Sequence, residues 1–310
     1  MQLSLVVPCF NEESVLPETA RRLLLLMADL IHARKISASS QIYFIDDGST
    51  DETWPLIESL ASRERMVKGI KLSRNCGHQI ALLAGLVSAP GDAVISVDAD
   101  LQDDLAAIAP MIEAHTNGSE IVFGVRRKRD TDGFMKRFTA LTYYRLLEKL
   151  GIQIVFNHAD YRLMGRRALQ ALGGYDEVNV FLRGLIPQLG FRTSTVYYDR
   201  LERYAGESKY PVRKMLALGW NGITSFSTVP LRFITAIGFF IAFGSFAITL
   251  WALGVRLYTH NAVPGWASIV VPIYLLGGLQ LFAIGLIGEY LAKTYMETKR
   301  RPRFFIETIL

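Results

Sequence analysis

The stretch LSLVVPCFNEESVLPETARRLLLLMADLIHARKISASSQIYFIDD, Leu3 to Asp47, decides the architecture. Leu3 to Val7 and Ile42 to Ile45 are short, β-rich apolar runs that end in polar clusters. Glu18 to Ala33 between them carries leucines at helical spacing. Apolar runs of this length around an amphipathic helical pattern read as a βαβ unit. Working outward, further strands are expected at Val67 to Leu72, Ala93 to Val97 and Glu120 to Gly124, with helical stretches such as Gln79 to Ser88 and Leu105 to Thr116 between them. The alternation predicts an α/β domain with a mostly parallel, doubly wound sheet.

Ligands of such sheets sit beyond the carboxyl ends of the strands, so the residues that follow each run matter most. These are Asn11 and Glu12, then Asp46 and Asp47, Ser73 to Gly77, Asp98 and Asp100, and Arg126. Carboxylates and cations collect along one wall. Asp98-Ala99-Asp100 places two carboxylates at the rim of a buried strand, where Mg2+ or Mn2+ could bridge them to a diphosphate, since these hard cations take oxygen ligands. A solvated acidic loop is the plainer alternative. Asp46 to Asp51 reads as a turn and helix cap, and its adjacent acids can also accept hydrogen bonds from a base or ribose. Arg126 to Arg137 is strongly basic, and Arg200, Arg203 and Lys209 add to it. Such a face suits anionic lipid, or a site that holds two phosphate groups together.

The second half of the chain differs in kind. Half of the 310 residues are hydrophobic and the formal charge is +5, with a positive mean hydropathy. Phe233 to Val255 and Trp266 to Gly288 each run about 23 residues without a charge, long enough to cross a ~30 Å hydrocarbon core. Arg213, Lys214 and Arg232 precede the first, and Lys293, Lys299, Arg300, Arg301 and Arg303 follow the second. Only Arg256 and His260 lie between them. The positive-inside bias puts both ends in the cytoplasm. Met1 to Phe10 lacks the basic region of a signal peptide. Gly277-Gly278 and Gly285 would permit close helix contact, within a hairpin or in a homo-oligomer. Cys9 and Cys76 have no ligand or disulfide spacing and read as small buried residues. His78, His115 and His158 read as surface or loop residues, with no zinc-ligand pair among them.

The same residues resemble the family-2, GT-A-fold glycosyltransferases, in particular the bactoprenol glucosyltransferases and dolichol-phosphate mannose synthases. Pro8, Phe10, Asn11 and Glu12 resemble the opening PxYNE-type motif, and Asp98 to Gln102 the DADLQ motif. Leu72 to Gln79, Asp160 to Met164, and Arg203 with Gly206 to Tyr210 resemble family blocks in the expected order. Ile223 to Ser227, Asn261-Ala262-Val263, Gly288-Glu289-Tyr290 and Glu297 to Pro302 are similar to the bactoprenol branch. Asn157-His158-Ala159 departs from the usual glycine-containing lead to Asp160, and Gly165 stands where a polar residue is common.

The resemblance implies that Pro8, Phe10, Glu12 and Asp47 hold the nucleoside, and that Asp98, Ala99, Asp100 and Gln102 arrange metal and diphosphate. It also implies that Arg126, Arg203 and Lys209 bind phosphate, with Asp160 at the position of the candidate base. It implies a GT-A domain over residues 1–210, a juxtamembrane helix at 211–228, spans at 229–256 and 265–290 joined by a periplasmic loop at 257–264, and a basic cytoplasmic tail at 291–310. The expected reaction is inverting transfer of a hexose, glucose from UDP-glucose by branch resemblance, onto undecaprenyl phosphate at the inner membrane of a bacterium. Asp160, Asp100 and Arg126 carry the chemistry in that reading. The expected partners are the nucleotide sugar, the lipid phosphate and the bilayer, with no nucleic acid. A processive polysaccharide synthase would show a QxxRW motif and more spans. For a non-enzymatic flippase, two spans without ionisable residues in their centres make a poor translocation path, and neither a flippase nor a scaffold needs carboxylates at successive strand ends.

Overall fold

The computed structural model describes residues 1–127, 158–178, 180–199 and 266–310, with helical residues 229–231, 233–241, 243–244 and 247. Arg203, Lys209, the segment 211–228 and the loop 257–264 lie outside the described residues. So does the basic run Arg126 to Arg137 beyond residue 127. The chain divides into two units, Met1–Leu216 with Arg300–Leu310, and Ala217–Lys299.

The first unit is an α/β layer structure on one mixed sheet. Its strands are β1 (Leu3–Cys9), β2 (Gln41–Asp46), β3 (Val67–Leu72), β4 (Ala93–Ser96), β5 (Ile121–Arg126), β6 (His158–Gly165), β7 (Thr193–Tyr198) and β8 (Ile306–Ile309). They lie in the order β7-β5-β6-β4-β1-β2-β3-β8. The helices are α1 (Leu16–His32), α2 (Thr53–Arg63), α3 (His78–Ser88), α4 (Ile108–Thr116), α5 (Arg166–Gly173) and α6 (Leu182–Gln188), with a 3-10 turn at Leu105–Ala107.

Alternation along the strands builds a core on each face. Leu3, Leu5 and Val7 of β1, with Ile42 and Phe44 of β2, join one cluster beneath Leu16, Leu23 and Met27 of α1. Val6, Tyr43 and Ile45 point to the other face, against Ala81, Leu82 and Leu86 of α3. Each fully buried side chain of this size contributes about 1.5–3 kcal/mol, so the register is set by which face each residue can reach. Close approach of α3 to the sheet depends on Gly85, where a Cβ would stand 2.3 Å from Val6 Cγ1 and 2.8 Å from Ile45 Cγ1.

The sheet corrects the expectation of a largely parallel one. Strands β3, β2, β1 and β4 run parallel, and β7 runs parallel to β5. Strand β6 is antiparallel to both β4 and β5. Strand β8, in what reads as a basic tail, pairs antiparallel with β3. Its end is fixed by Leu310 N–H donating to Gly69 C=O at 2.9 Å and by the Lys71–Glu307 ion pair at 3.2 Å. Because β6 opposes β4 with Ser96 level with Arg162, its first residues lie at the carboxyl end of β4. That reversal brings Asp160 beside Asp98.

In the second unit, α7 (Trp266–Thr298) is 33 residues long. Ile269, Ile273, Leu281, Phe282, Ile284, Ile287 and Leu291 on it are exposed. Among the described residues no helix is long and apolar enough to cross a membrane. The expected first span is described only in part, as are the side chains in the N-terminal half of α7, so the two spans stand as expectations.

Candidate active site

The site lies along the carboxyl ends of β2, β1 and β4 and the adjoining ends of β6 and β5. At β2, Asp46 and Asp47 are 0% and 2% exposed. Asp47 accepts from Cys76 N–H at 2.7 Å through Oδ1 and from Gly77 N–H at 2.9 Å through Oδ2, and its own N–H donates to Cys9 C=O at 2.9 Å. Burial pushes the Asp47 carboxyl above its usual value, and the two N–H groups only partly oppose that. Burial likewise raises Asp46, against donation from Ser49. The turn requires Gly48, at φ +68° with a would-be Cβ 2.6 Å from Asn75 N. No other residue tolerates both the left-handed backbone and the contact.

The β1 loop is laced to this turn. Asn11, at φ +53°, a conformation that asparagine bears better than most side chains, accepts from Thr50 N–H at 2.9 Å. Asn11 N–H donates to Ser49 Oγ at 3.0 Å and Glu12 N–H to Thr53 Oγ1 at 2.9 Å. Pro8 is buried in β1, Glu12 is half-buried and Phe10 is exposed at the rim. The structure therefore brings Phe10, Glu12 and Asp47 to one edge.

Beyond β4, Ala99 C=O accepts from the buried Thr19 hydroxyl at 2.7 Å, and Gln102 N–H donates to Asp100 Oδ1 at 3.2 Å. Leu101 between them has φ +56° and is held there by burial. Asp98 is half-buried. Burial lifts its carboxyl to about 6, with His78 opposing and Asp103, Asp160 and Asp100 adding to the rise. Such crowding of carboxylates is what a divalent cation would relieve, so Asp98 and Asp100 fit a metal whose remaining ligands are phosphate and water. Among the described residues no three His, Cys, Asp or Glu side chains form a cage that could hold a metal by themselves.

His78, expected at the surface, keeps 36% of its side chain exposed but is paired with two carboxylates. It opens α3 and lies 3.7 Å from Asp98 and 3.5 Å from Asp160. Burial pulls the imidazole down, but the bond to Asp160 and the charge of Asp98 outweigh it, to about 9. Cys9 is buried as expected and Cys76 half-buried. His115 is half-buried, its Nδ1 2.7 Å from Ser119 C=O.

Asp160, on β6, is 5% exposed. It accepts from Arg162 Nη2, from Arg183 Nε at 3.3 Å and Nη2 at 3.0 Å, and from Gln79 Nε2 at 3.0 Å. Burial would raise this carboxyl, yet Arg183, His78 and Arg162 together hold it well below the usual carboxylate range. Arg162 is fully buried, and its Nε and Nη1 have no hydrogen-bond partner among the described residues. At the end of β5, Arg126 donates through Nη2 to the buried Asp103 at 3.1 Å and through Nε to Tyr198 Oη at 3.2 Å. Tyr198 in turn donates to Asp103 and packs edge-on against Tyr161, with ring centroids 5.2 Å apart. Burial would lower Arg126, but Tyr198 and Asp103 raise it, so it is permanently charged. Asp103, Tyr198, Gln79 and Arg183 escape a reading by sequence because their partners come from distant segments.

The family model for glycosyl transferase family 2 matches residues 4–173. An uncharacterized glycosyltransferase, YkoT, of Bacillus subtilis (strain 168) is 51% identical over 307 residues, covering 98% of this chain and 91% of its own length. The bactoprenol glucosyl transferase of Shigella phage SfX is 41% identical over 312 residues, covering 99% of each. A prophage bactoprenol glucosyl transferase homolog of Escherichia coli (strain K12) is 40% identical, covering 100% of this chain and 99% of its own. Among solved structures, glucosyl-3-phosphoglycerate synthase of Mycobacterium tuberculosis, in complex with Mn2+, uridine-diphosphate and phosphoglyceric acid, aligns with TM-score 0.46 at 16% identity, covering 72% of this chain and 76% of that one.

Proposed function

The chain belongs to glycosyl transferase family 2, and we propose that this glycosyltransferase moves a hexose, glucose from UDP-glucose, onto undecaprenyl phosphate at the cytoplasmic face of a bacterial membrane. The observation that carries the reading is the row of groups along one rim of the sheet. Asp47 follows β2, Asp98 and Asp100 follow β4, and Asp160 and Arg126 lie on β6 and β5, strands in that order with only β1 interposed. Strands lie about 4.8 Å apart, so β2 and β4 are separated by roughly 10 Å, the reach of a nucleoside diphosphate. Similarity over nearly the full length to bactoprenol glucosyl transferases supports the acceptor and the sugar.

In this reading Phe10, Glu12 and Asp47 bind the nucleoside. Mg2+ or Mn2+ held by Asp98 and Asp100 would neutralise charge on the diphosphate. A lipid phosphate oxygen attacks the anomeric carbon as the bond from that carbon to the diphosphate oxygen breaks, and the nucleoside diphosphate departs with inversion. The phosphate monoester has its second pKa near ~6 and is mostly dianionic at neutral pH, so the attack needs no strong base. Asp160 suits that chemistry as an orienting group, since its oxygens already accept from Arg162, Arg183 and Gln79. Arg126, with Arg203 and Lys209, binds phosphate. Fixed cations facing the charge that develops on the leaving group are the largest catalytic contribution expected here.

The membrane assignment rests on the charge-free stretches Phe233 to Val255 and Trp266 to Gly288 and on the exposed apolar side chains of α7. Both termini are cytoplasmic in this proposal. A reporter fused at Asn261 should read periplasmic, and a cytoplasmic reading there would reverse the topology. The reaction is tested with purified protein in detergent, undecaprenyl phosphate, and a panel of radiolabelled nucleotide sugars with and without Mg2+ or Mn2+. Metal-dependent label in the lipid phase, lost in Asp100→Ala, is expected. No lipid product from any donor would overturn the assignment.

A further inference from the structure

Arg183 is assigned no role by the motifs, yet with His78, exposed to the same extent, it is one of two cationic groups that the Asp160 corner presents to solvent. Its side chain is 36% exposed, whereas that of Asp160 beneath it is 4% exposed. The two share a forked contact, from Nε at 3.3 Å and Nη2 at 3.0 Å to the two carboxylate oxygens. Such a fork fixes the plane of the guanidinium as well as its position. A second tie locks the helix that carries it. Gln79 donates through Nε2 to Asp160 at 3.0 Å and accepts through Oε1 from Leu182 N–H at 3.2 Å. One amide thus joins α3, β6 and the first turn of α6, next to Arg183. The buried Arg162 holds Asp160 from below.

The order of strands says which substrate this cation faces. The nucleoside edge is at β2 and the candidate metal ligands at β4, and β6 lies one strand further on, away from β2. A donor laid from Asp47 to Asp98 and Asp100 therefore ends at β4, and the next anion along the rim is that of the acceptor. We propose, on the reading that the acceptor is a lipid phosphate, that Arg183 binds the acceptor's phosphate monoester, with Asp160 and Gln79 as its positioning residues. A guanidinium carries five N–H donors over a planar fork, so one group can be held by a carboxylate and also face a phosphate.

The test uses the full chain in detergent and two binding measurements alongside the transfer assay. Radiolabelled undecaprenyl phosphate and UDP are titrated against wild type, Arg183→Ala, Arg183→Lys and Gln79→Ala, with thermal unfolding followed to establish that each variant is folded. Arg183→Ala is expected to weaken lipid phosphate binding by about tenfold or more, with UDP affinity within about twofold of wild type. Arg183→Lys should recover part of the loss, because charge is kept and the fork is not. In transfer, the acceptor KM should rise more than kcat falls. Loss of UDP affinity with lipid binding intact would place Arg183 on the donor and overturn the proposal. Unchanged lipid binding in folded Arg183→Ala would overturn it as well. A wild type that binds undecaprenyl phosphate through Arg183 yet transfers no sugar from any donor would refute the proposed reaction and leave this assignment supported.

Discussion

Asp47 and Asp160 are both carboxylates at the rim of one sheet, 2% and 5% exposed, yet they are held in opposite ways. Backbone N–H groups of Cys76 and Gly77 meet Asp47, and burial still wins, raising its pKa. Guanidinium groups of Arg162 and Arg183 meet Asp160, and charge wins over burial, lowering it. Partial dipoles position an acid without cancelling the cost of its charge, whereas paired cations cancel it. The Asp47 corner thus suits a neutral polar edge such as a base. The Asp160 corner, two guanidinium groups to one carboxylate, suits an anion.

The strongest way to break this contrast is Asp160→Ala. It leaves Arg162 buried without its partner, and breaking such a pair costs about 3–5 kcal/mol. Thermal unfolding in detergent should fall further for Asp160→Ala than for Asp47→Ala, and equal losses would erase the distinction. Asp47→Asn should cost about 1–3 kcal/mol, because its amide NH2 would face one of the two backbone N–H donors. UDP titration should weaken more than lipid phosphate binding. Gly48→Ala strains the same turn by about 1–3 kcal/mol. It should raise the donor KM while the acceptor KM holds, and an unchanged donor KM would show that the turn does not shape the nucleoside edge.

The smallest expected effect lies away from the site. Burial opposes ionisation of Glu18 only weakly, and hydrogen bonds from Arg21 and Arg22 outweigh it, holding its pKa at about 2. A folded-state pKa below the unfolded value of ~4.3 contributes stability above that value, lost as pH falls toward 2. Glu18→Gln should therefore flatten the decline of stability between about pH 4.3 and pH 2, slightly, because Glu18 is near the surface and such pairs are weak. A slope unchanged in the variant would mean that the α1 pairs contribute nothing.

The five strands expected from apolar runs are present, Val67–Leu72 with the same bounds and the others within two residues at each end. The remaining three carry no such run. β6 has the buried Asp160 and Arg162 where apolar residues would be looked for. β7 reads TSTVYY and is exposed or half-exposed up to its buried last residue, Tyr198. β8 has four residues, and its place at the sheet edge depends on a partner more than two hundred residues earlier. The site divides along the same line. Asp47, Asp98 and Asp100 follow strands that periodicity identifies, so their placement was legible. Asp103 with Tyr198, and Gln79 with Leu182 and Asp160, are pairings across the fold, which no local pattern encodes. His78 read as a surface residue because its two acidic neighbours come from other strands.

The most direct test of the division between the two corners is side-by-side titration of UDP and of undecaprenyl phosphate against folded Asp47→Asn and Asp160→Asn. Asp47→Asn should lose UDP affinity and keep the lipid, and Asp160→Asn, by loosening Arg183, should lose the lipid and keep UDP. The reverse pattern, or loss of both ligands in both variants, would contradict that division.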